Sequence, residues 1–227
     1  AIDVTGAITN DTMIVGFTII AGTSDDATER HAAAIVCNNS IAEPHITISN
    51  NTITSTGTNS LSLSGIFLNN ASADIKNNII SLGTVTIGTS TDTFSISRGI
   101  YKTNSGSITI SNNKIYAGKP TADDTEVSSY GIFFENNGAT TSNLVYNNII
   151  HGGHPTSTGE NNNFGICIYN NLSNNIAIYN NTIVAEGVLN TTNCIISPLY
   201  MKVSNVSVIN NILILNATNN GTSTNLY

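Results

Sequence analysis

The feature that most constrains this chain is a short segment built around a pair of adjacent asparagines, which occurs six times at near-regular distances. The stretch "ITISNNTI" at residues 46–53 comes back almost unchanged as "ITISNNKI" at residues 108–115. The first asparagines of the six pairs are Asn50, Asn77, Asn112, Asn147, Asn180 and Asn210. Successive positions differ by 27, 35, 35, 33 and 30 residues, so the chain carries an internal repeat over most of its length.

A second motif, a small residue followed by Ile, runs in phase with the asparagine pairs. It reads "SGIFLNN" at 64–70, "RGIYKTN" at 98–104, "YGIFFEN" at 130–136 and "FGICIYN" at 164–170, with "AAIVCNN" at 33–39 as a variant. We call the segments that start with this motif the G-I strands. Two motifs locked in phase favour one repetitive domain covering residues 1–227.

The apolar residues inside each repeat follow a period of two. Ile46 and Ile48 alternate with Thr47 and Ser49, and short runs of this kind bounded by Asn, Gly and Ser are typical of strands. Stacking three such strands per repeat at ~4.8 Å builds a parallel β-helix. The sequence therefore predicts an all-β fold, a single-stranded right-handed parallel β-helix (solenoid) of about seven coils, with the hand taken from parallel crossovers. The first coil is the degenerate copy "MIVGFTII" at 13–20.

The asparagine pair has a structural explanation in such a rod. One residue at the tight corner between two strands must adopt a left-handed backbone, which Asn tolerates best after Gly. A neighbouring Asn that points inward can hydrogen-bond to its equivalents above and below, forming an Asn ladder that satisfies buried polar groups. The predicted corner and ladder residues are Asn50, Asn51, Asn77, Asn78, Asn112, Asn113, Asn147, Asn148, Asn180, Asn181, Asn210 and Asn211.

Composition excludes several classes of function. The net charge of −7 and pI near 4.8 argue against a nucleic-acid partner, and no apolar run approaches the length of a membrane span. Cys37, Cys167 and Cys194 have no metal-ligand spacing, so we expect buried thiols, with one disulfide as the open alternative. Because no signal-like segment follows Ala1, we expect a piece of a longer chain with further domains at one or both ends.

The combination of N-N-x-[ILV], a preceding I-x-I-x and a G-I strand start is similar to the right-handed β-helix repeats of the pectin-lyase-like superfamily. "MIVGFTI" resembles the opening coil of these repeats in secreted and surface-anchored bacterial proteins. The resemblance implies an extracellular or cell-surface location in a bacterium, and a carbohydrate groove along the G-I strands and their flanking loops. It does not choose an activity, because the superfamily includes lyases, hydrolases, epimerases, phage tailspikes and non-catalytic adhesins.

The G-I strands carry an apolar column on their outward side. Since Ile points inward, the next residue points outward, which gives Val36, Phe67, Tyr101, Phe133, Cys167 and Ile196. Two interpretations stay open: long loops cover the column as a second small core, or the column is a stacking surface for sugars or an interface. The next outward column is Asn38, Asn69, Thr103, Glu135 and Tyr169. The candidate ligand-binding residues are Phe67, Tyr101, Phe133, Glu135 and Tyr169.

A catalytic site is the alternative. Glycoside hydrolysis needs two carboxylates about 5 to 9.5 Å apart, and the candidates are Glu135 with Asp123 or Asp124, assisted by His151. By resemblance, however, the paired aspartates and the Arg-x-Lys motif of the hydrolases are absent, and "HGGHP" lacks Gly-His-Gly. His151 and His154 have no third metal ligand nearby in sequence, so we expect no metal or cofactor, with weak calcium binding as the remaining option.

The expected function is a non-catalytic scaffold or adhesin that binds glycans along the G-I strands, with a polysaccharide or a host or matrix surface as partner. The alternative is a polysaccharide lyase or glycoside hydrolase that acts on an acidic polysaccharide.

Overall fold

The structure is a computed structural model that describes residues 2–5, 12–22, 31–38, 45–55, 62–86, 94–122, 126–135, 141–157, 159–169, 175–189, 194–203 and 205–219. These residues form a parallel β-solenoid that contains strands and no helix, so the predicted fold is confirmed. No helix in this part of the chain is therefore long and apolar enough to cross a membrane. The predicted count of seven coils is slightly too high, since the solenoid has about five turns. Each long sheet has seven strands, of which the first and last have a neighbour on one side only.

Three seven-stranded parallel sheets form the sides of the solenoid, with strands numbered in chain order. The G-I sheet contains β1 (Ile2–Thr5), β4 (His31–Asn38), β7 (Ser62–Asn69), β11 (Phe94–Thr103), β15 (Glu126–Glu135), β19 (Asn161–Tyr169) and β22 (Ile196–Met201). The pre-Asn sheet contains β2 (Thr12–Val15), β5 (His45–Ser49), β8 (Ser72–Lys76), β12 (Ile108–Ser111), β16 (Ser142–Tyr146), β20 (Asn175–Tyr179) and β23 (Val206–Ile209).

The post-Asn sheet contains β3 (Thr18–Ala21), β6 (Thr52–Ser55), β9 (Ile79–Ser81), β13 (Lys114–Tyr116), β17 (Ile149–His151), β21 (Thr182–Leu189) and β24 (Ile212–Asn219). A short fourth sheet is made by β10 (Thr84–Thr86), β14 (Lys119–Ala122) and β18 (Thr156–Ser157). The chain visits the three long sheets in the same order in every coil, which is the topology that the two in-phase motifs predict.

The core is a set of aliphatic columns that run along the rod. In the G-I sheet, Ile35, Ile66, Ile100, Ile132 and Ile166 pair in register, and none of them is exposed to solvent. Each coil therefore stacks its Ile on the equivalent Ile of the next coil, and every coil buries this side chain against its neighbours.

The two asparagines of each pair take different roles at the corner between the pre-Asn and post-Asn sheets. The first Asn has a left-handed backbone in all six pairs, with φ between 53° and 57°, and Gly16 takes φ 78° at this corner in the first coil. The second Asn points inward: Asn113 Nδ2 donates to Asn148 Oδ1 at 3.0 Å and to the Ile75 carbonyl at 2.9 Å. This pattern continues from Asn51 to Asn211.

One inward position of the G-I sheet holds a lysine rather than an aliphatic residue. Lys102 is fully buried between Leu68 and Phe134 in register. Its Nζ donates to the carbonyls of Thr103, Asn104 and Ser105 at 2.9, 2.9 and 2.5 Å. Three donors meet three acceptors, so this buried ammonium group is satisfied by the turn that follows β11.

The three cysteines are buried free thiols, as the composition led us to expect. Burial, together with the nearby Asp3 carboxylate, raises the pKa of Cys37 to about 12. Burial also raises the pKa of Cys167. Neither thiol is therefore prepared to act as a nucleophile at neutral pH.

Candidate functional site

The outward apolar column of the G-I sheet lies where the repeat places it, with one correction at its end. Val36, Phe67, Tyr101, Phe133 and Cys167 pair in register. The sixth member is Tyr200, which pairs with Cys167. The prediction that Ile196 occupies this position was wrong. Ile196 pairs instead with Asn163 and is fully buried beside Ala185 and Cys194.

The aromatic members of this column stack on one another. The rings of Phe67 and Tyr101 are 5.0 Å apart at 19°, and those of Tyr101 and Phe133 are 5.5 Å apart at 16°. Tyr130 and Phe164 add a second rank: the Tyr130 ring lies 4.6 Å from that of Phe133 and 5.2 Å from that of Phe164. We call these five residues the aromatic stack.

The rings of the aromatic stack cover much of one another's apolar surface. Phe133 is 7% exposed, and Phe133, Phe164 and Cys167 form a buried cluster separate from the main core. Because neighbouring rings cover each other's faces, a sugar cannot lie flat on a ring inside the stack. The column therefore acts as a second small core, and any ligand would contact ring edges and the polar groups beside them.

Arg98 is held against this stack. Its guanidinium lies 4.3 Å from the ring centre of Tyr101 and 5.5 Å from that of Phe133, and the residue is 8% exposed. Nη1 donates to Ser62 Oγ at 2.6 Å, while Nε has no hydrogen-bond partner among the described residues. Burial lowers the pKa of Arg98, but the guanidinium stays protonated because its ordinary pKa is very high.

Tyr101 also joins the aromatic stack to Glu135, a member of the next outward column of the G-I sheet. Its hydroxyl donates to Glu135 Oε2 at 2.5 Å. Burial first, and this hydrogen bond second, raise the pKa of Tyr101 to about 12, so the phenol keeps its proton. Glu135 is thus an acceptor for a neighbouring tyrosine.

Of the other catalytic candidates, the structure describes His151 alone, and His151 does not lie beside Glu135. Asp123 and Asp124 fall outside the described residues. His151 ends β17 in the post-Asn sheet, whereas Glu135 ends β15 in the G-I sheet. The structure therefore does not join Glu135 and His151 in one site.

The second outward column of the G-I sheet, which we call the polar column, is the other candidate surface on this face. Asn38, Asn69, Thr103, Glu135 and Tyr169 pair in register, although Thr103 is largely buried. At its far end the Lys202 ammonium lies 4.4 Å from the ring centre of Tyr169. We call this column, extended by Lys202 and by Asn104, the polar strip.

Three amides of the polar strip form a short row at its surface, with Asn38 and Asn104 exposed and Asn69 half-buried between them. Asn104 Nδ2 donates to Asn69 Oδ1 at 2.6 Å, and Asn69 Nδ2 donates to Asn38 Oδ1 at 2.9 Å. We call Asn38, Asn69 and Asn104 the exposed amide row. Asn104 is not predicted by the strand pattern, because it occupies a left-handed turn position after β11, with φ 58°, rather than a strand position.

A second polar cluster lies at the end of the post-Asn sheet. His151 Nε2 and His154 Nδ1 are each 3.4 Å from Glu186 Oε1, and Tyr116 packs 5.0 Å from the His151 ring. Burial lowers the pKa of His151, and the Glu186 carboxylate opposes that effect. Sequence reasoning missed Glu186, which reaches the histidines from the next coil.

This cluster is not arranged to hold a metal ion. The Gly153 N–H donates to His151 Nδ1 at 3.0 Å, so the ring proton lies on Nε2 and faces Glu186. An Nε2 that carries a proton has no lone pair for a metal. The described residues contain no group of three His, Cys, Asp or Glu side chains that could bind one.

Comparison with protein-family models, with curated proteins and with solved structures finds no match to this chain.

Proposed function

We propose that this chain is a non-catalytic scaffold or adhesion module of the pectin-lyase-like type, located outside the cell or on the surface of a bacterium. Its rod presents the polar strip to a glycan of a polysaccharide or of a host or matrix surface. The family assignment rests on the N-N-x-[ILV] and G-I motifs together with the parallel β-solenoid.

The single observation that carries the proposal is the exposed amide row beside the aromatic stack. Asn38, Asn69 and Asn104 hold each other in fixed orientations through amide–amide hydrogen bonds. Polar groups that are fixed in advance lose little entropy when they bind a ligand. Protein sites that bind small molecules combine apolar walls with a few well-placed polar groups, and the strip offers this combination.

A glycan array probed with the folded chain tests the proposal. We expect binding to one class of oligosaccharide, and we expect Asn69→Ala to weaken it because Asn69 is the central amide. Asn175→Ala is the matched control, since Asn175 is an exposed asparagine of the pre-Asn sheet. An array on which no glycan is retained, or on which both variants lose binding equally, contradicts glycan binding through the strip.

An enzyme is the second candidate, and the Tyr101–Glu135 hydrogen bond next to Arg98 favours it. A carboxylate, a phenol and a guanidinium within one cluster are groups that can move a proton and stabilise charge during cleavage of an acidic polysaccharide. The test is turnover of polyuronates and of other polysaccharides by the purified chain. The enzyme interpretation requires measurable cleavage that Glu135→Gln abolishes while the fold, followed by far-UV circular dichroism, is retained.

A further inference from the structure

We infer that the polar strip takes an uncharged, hydroxyl-rich glycan rather than an acidic one. This inference rests on the proposed glycan-binding function and adds the chemical class of the ligand. It is argued from the charges that the G-I sheet offers to solvent and from the hydrogen-bonding capacity of the exposed amide row.

The basic groups of this surface are unfavourably placed for an anionic chain. Arg98 lies within the aromatic stack with little of its surface in solvent. Lys202 is exposed, but it lies at one end of the strip and its ammonium is held near the Tyr169 and Tyr200 rings. No basic side chain among the described residues of the strip lies between Asn38 and Tyr169.

The acidic group nearest the centre is Glu135, which is a member of the strip. The exposed Asp3 lies in the first strand of the sheet, in the neighbouring column beside Val36. The whole chain also carries a formal net charge of −7. A polyuronate or a sulfated chain along the strip would therefore meet like charge both locally and at long range.

The exposed amide row matches hydroxyl groups instead. Each Asn amide has two N–H donors and two acceptor lone pairs. Within the row, Asn69 uses one N–H toward Asn38 and one lone pair toward Asn104, which leaves one donor and one acceptor. A sugar hydroxyl is itself both a donor and an acceptor, so neighbouring hydroxyls can satisfy both remaining groups without any ionic contact.

The experiment is calorimetric titration of the 227-residue chain with two panels of oligosaccharides. One panel is neutral (gluco-, manno- and xylo-oligosaccharides) and the other is anionic (oligouronates and sulfated oligosaccharides). Titrations run at about 0.01 M and about 1 M salt, between which the Debye length falls from about 30 Å to about 3 Å. We expect binding from the neutral panel, with an affinity that changes less than about twofold with salt.

Variants assign the binding to the exposed amide row. Asn69→Ala should weaken neutral binding about tenfold, as expected for the loss of one to two hydrogen bonds. Asn38→Ala, at the end of the row, should weaken it less, and it serves as a second variant if Asn69→Ala fails to fold. Asn175→Ala should leave the affinity unchanged.

Glycan binding and the preference for a neutral glycan are overturned by different results. Salt-sensitive binding of the anionic panel alone overturns the inference about ligand class and leaves glycan binding intact. No binding from either panel overturns the proposed function as well. Neutral binding that survives both Asn69→Ala and Asn38→Ala overturns the assignment to the exposed amide row.

Discussion

At the scale of single residues, two adjacent asparagines meet opposite demands. Asn112 is exposed and is required for its left-handed φ of 56°, whereas Asn113 is buried and is required for its amide. Residue type alone does not distinguish the two positions, because both are Asn. The corner geometry distinguishes them, since it turns the first side chain outward and the second inward.

This difference predicts contrasting effects of substitution at the two positions. Asn112→Gly should cost less than about 1 kcal/mol, because Gly adopts positive φ without strain. Asn113→Ala should cost about 2–4 kcal/mol, because it leaves buried groups such as the Ile75 carbonyl unpaired. Urea unfolding of both variants measures the difference. Equal losses of free energy of unfolding would contradict the two roles.

At the scale of the strand, the G-I motif requires glycine because the space between two sheets leaves no room for a Cβ. A Cβ on Gly131 would overlap Ile150 Cγ2 of the post-Asn sheet and the Gly165 carbonyl of the next coil. The G-I strand therefore approaches the opposite strand more closely than any side chain permits. The motif signals packing across the rod as well as the start of a strand.

Gly131→Ala should accordingly destabilise the chain by about 1–3 kcal/mol through overpacking. The matched control is Gly22→Ala, where a Cβ would meet no atom within 4 Å. This control should change stability by less than about 1 kcal/mol, in the stabilising direction, by restricting the unfolded chain. Thermal unfolding compares the two; a destabilising Gly22→Ala of similar size would mean that the space at Gly131 is not the cause.

His151, the last residue of β17, should make stability depend on pH. Burial lowers the pKa of His151 below its ordinary value near 6.5, although Glu186 opposes the shift and His154 adds to it. The unfolded chain then binds a proton more readily than the folded chain, so stability is full above about pH 6.5 and falls as the pH drops toward the lowered pKa. Tyr116 is the other titratable group packed against this ring.

His151→Gln tests this dependence, since Gln has no titration in this range. Histidine usually titrates between about pH 5 and pH 7. Over this range we expect the free energy of unfolding of the wild type to fall more steeply than that of the variant. His154→Gln, which removes the more exposed ring, is the comparison. If the wild type and His151→Gln show parallel pH profiles, the shift at His151 is not coupled to folding.

At the scale of the whole molecule, the repeat accounts for how much could be predicted. Each coil uses the previous coil as its template, so motifs in phase were enough to predict the sheets, the corners and the inward ladder. The error at Ile196 arose in a coil without the G-I motif, where Pro198 and Leu199 replace Gly and Ile. The stacking of ring faces and the approach of Glu186 to His151 depend on side chains one coil away, and no spacing within a repeat encodes them.

The same template logic predicts an uneven distribution of stability along the rod. In a repeat array each coil is stabilised mainly by its neighbours, so a coil with one neighbour opens more easily than a coil with two. Among the described residues β24 pairs only with β21, and Ile212, Leu213 and Leu215 are 60%, 49% and 39% exposed. By contrast, β13 pairs on both sides, and its Ile115 is 3% exposed.

Native-state hydrogen exchange of the 227-residue chain measures this gradient directly. Amides of β24 should exchange through local opening that costs little free energy, whereas those of β13 should exchange near the global free energy of unfolding. Asn113→Ala should lower protection most in its own coil and in the two neighbouring coils, because the side chain bonds to Ser111 of its own coil and to Asn78 and Asn148 on either side. Uniform protection from β3 to β24 would instead mean that the rod opens as one cooperative unit, and that nearest-neighbour stacking does not describe its stability.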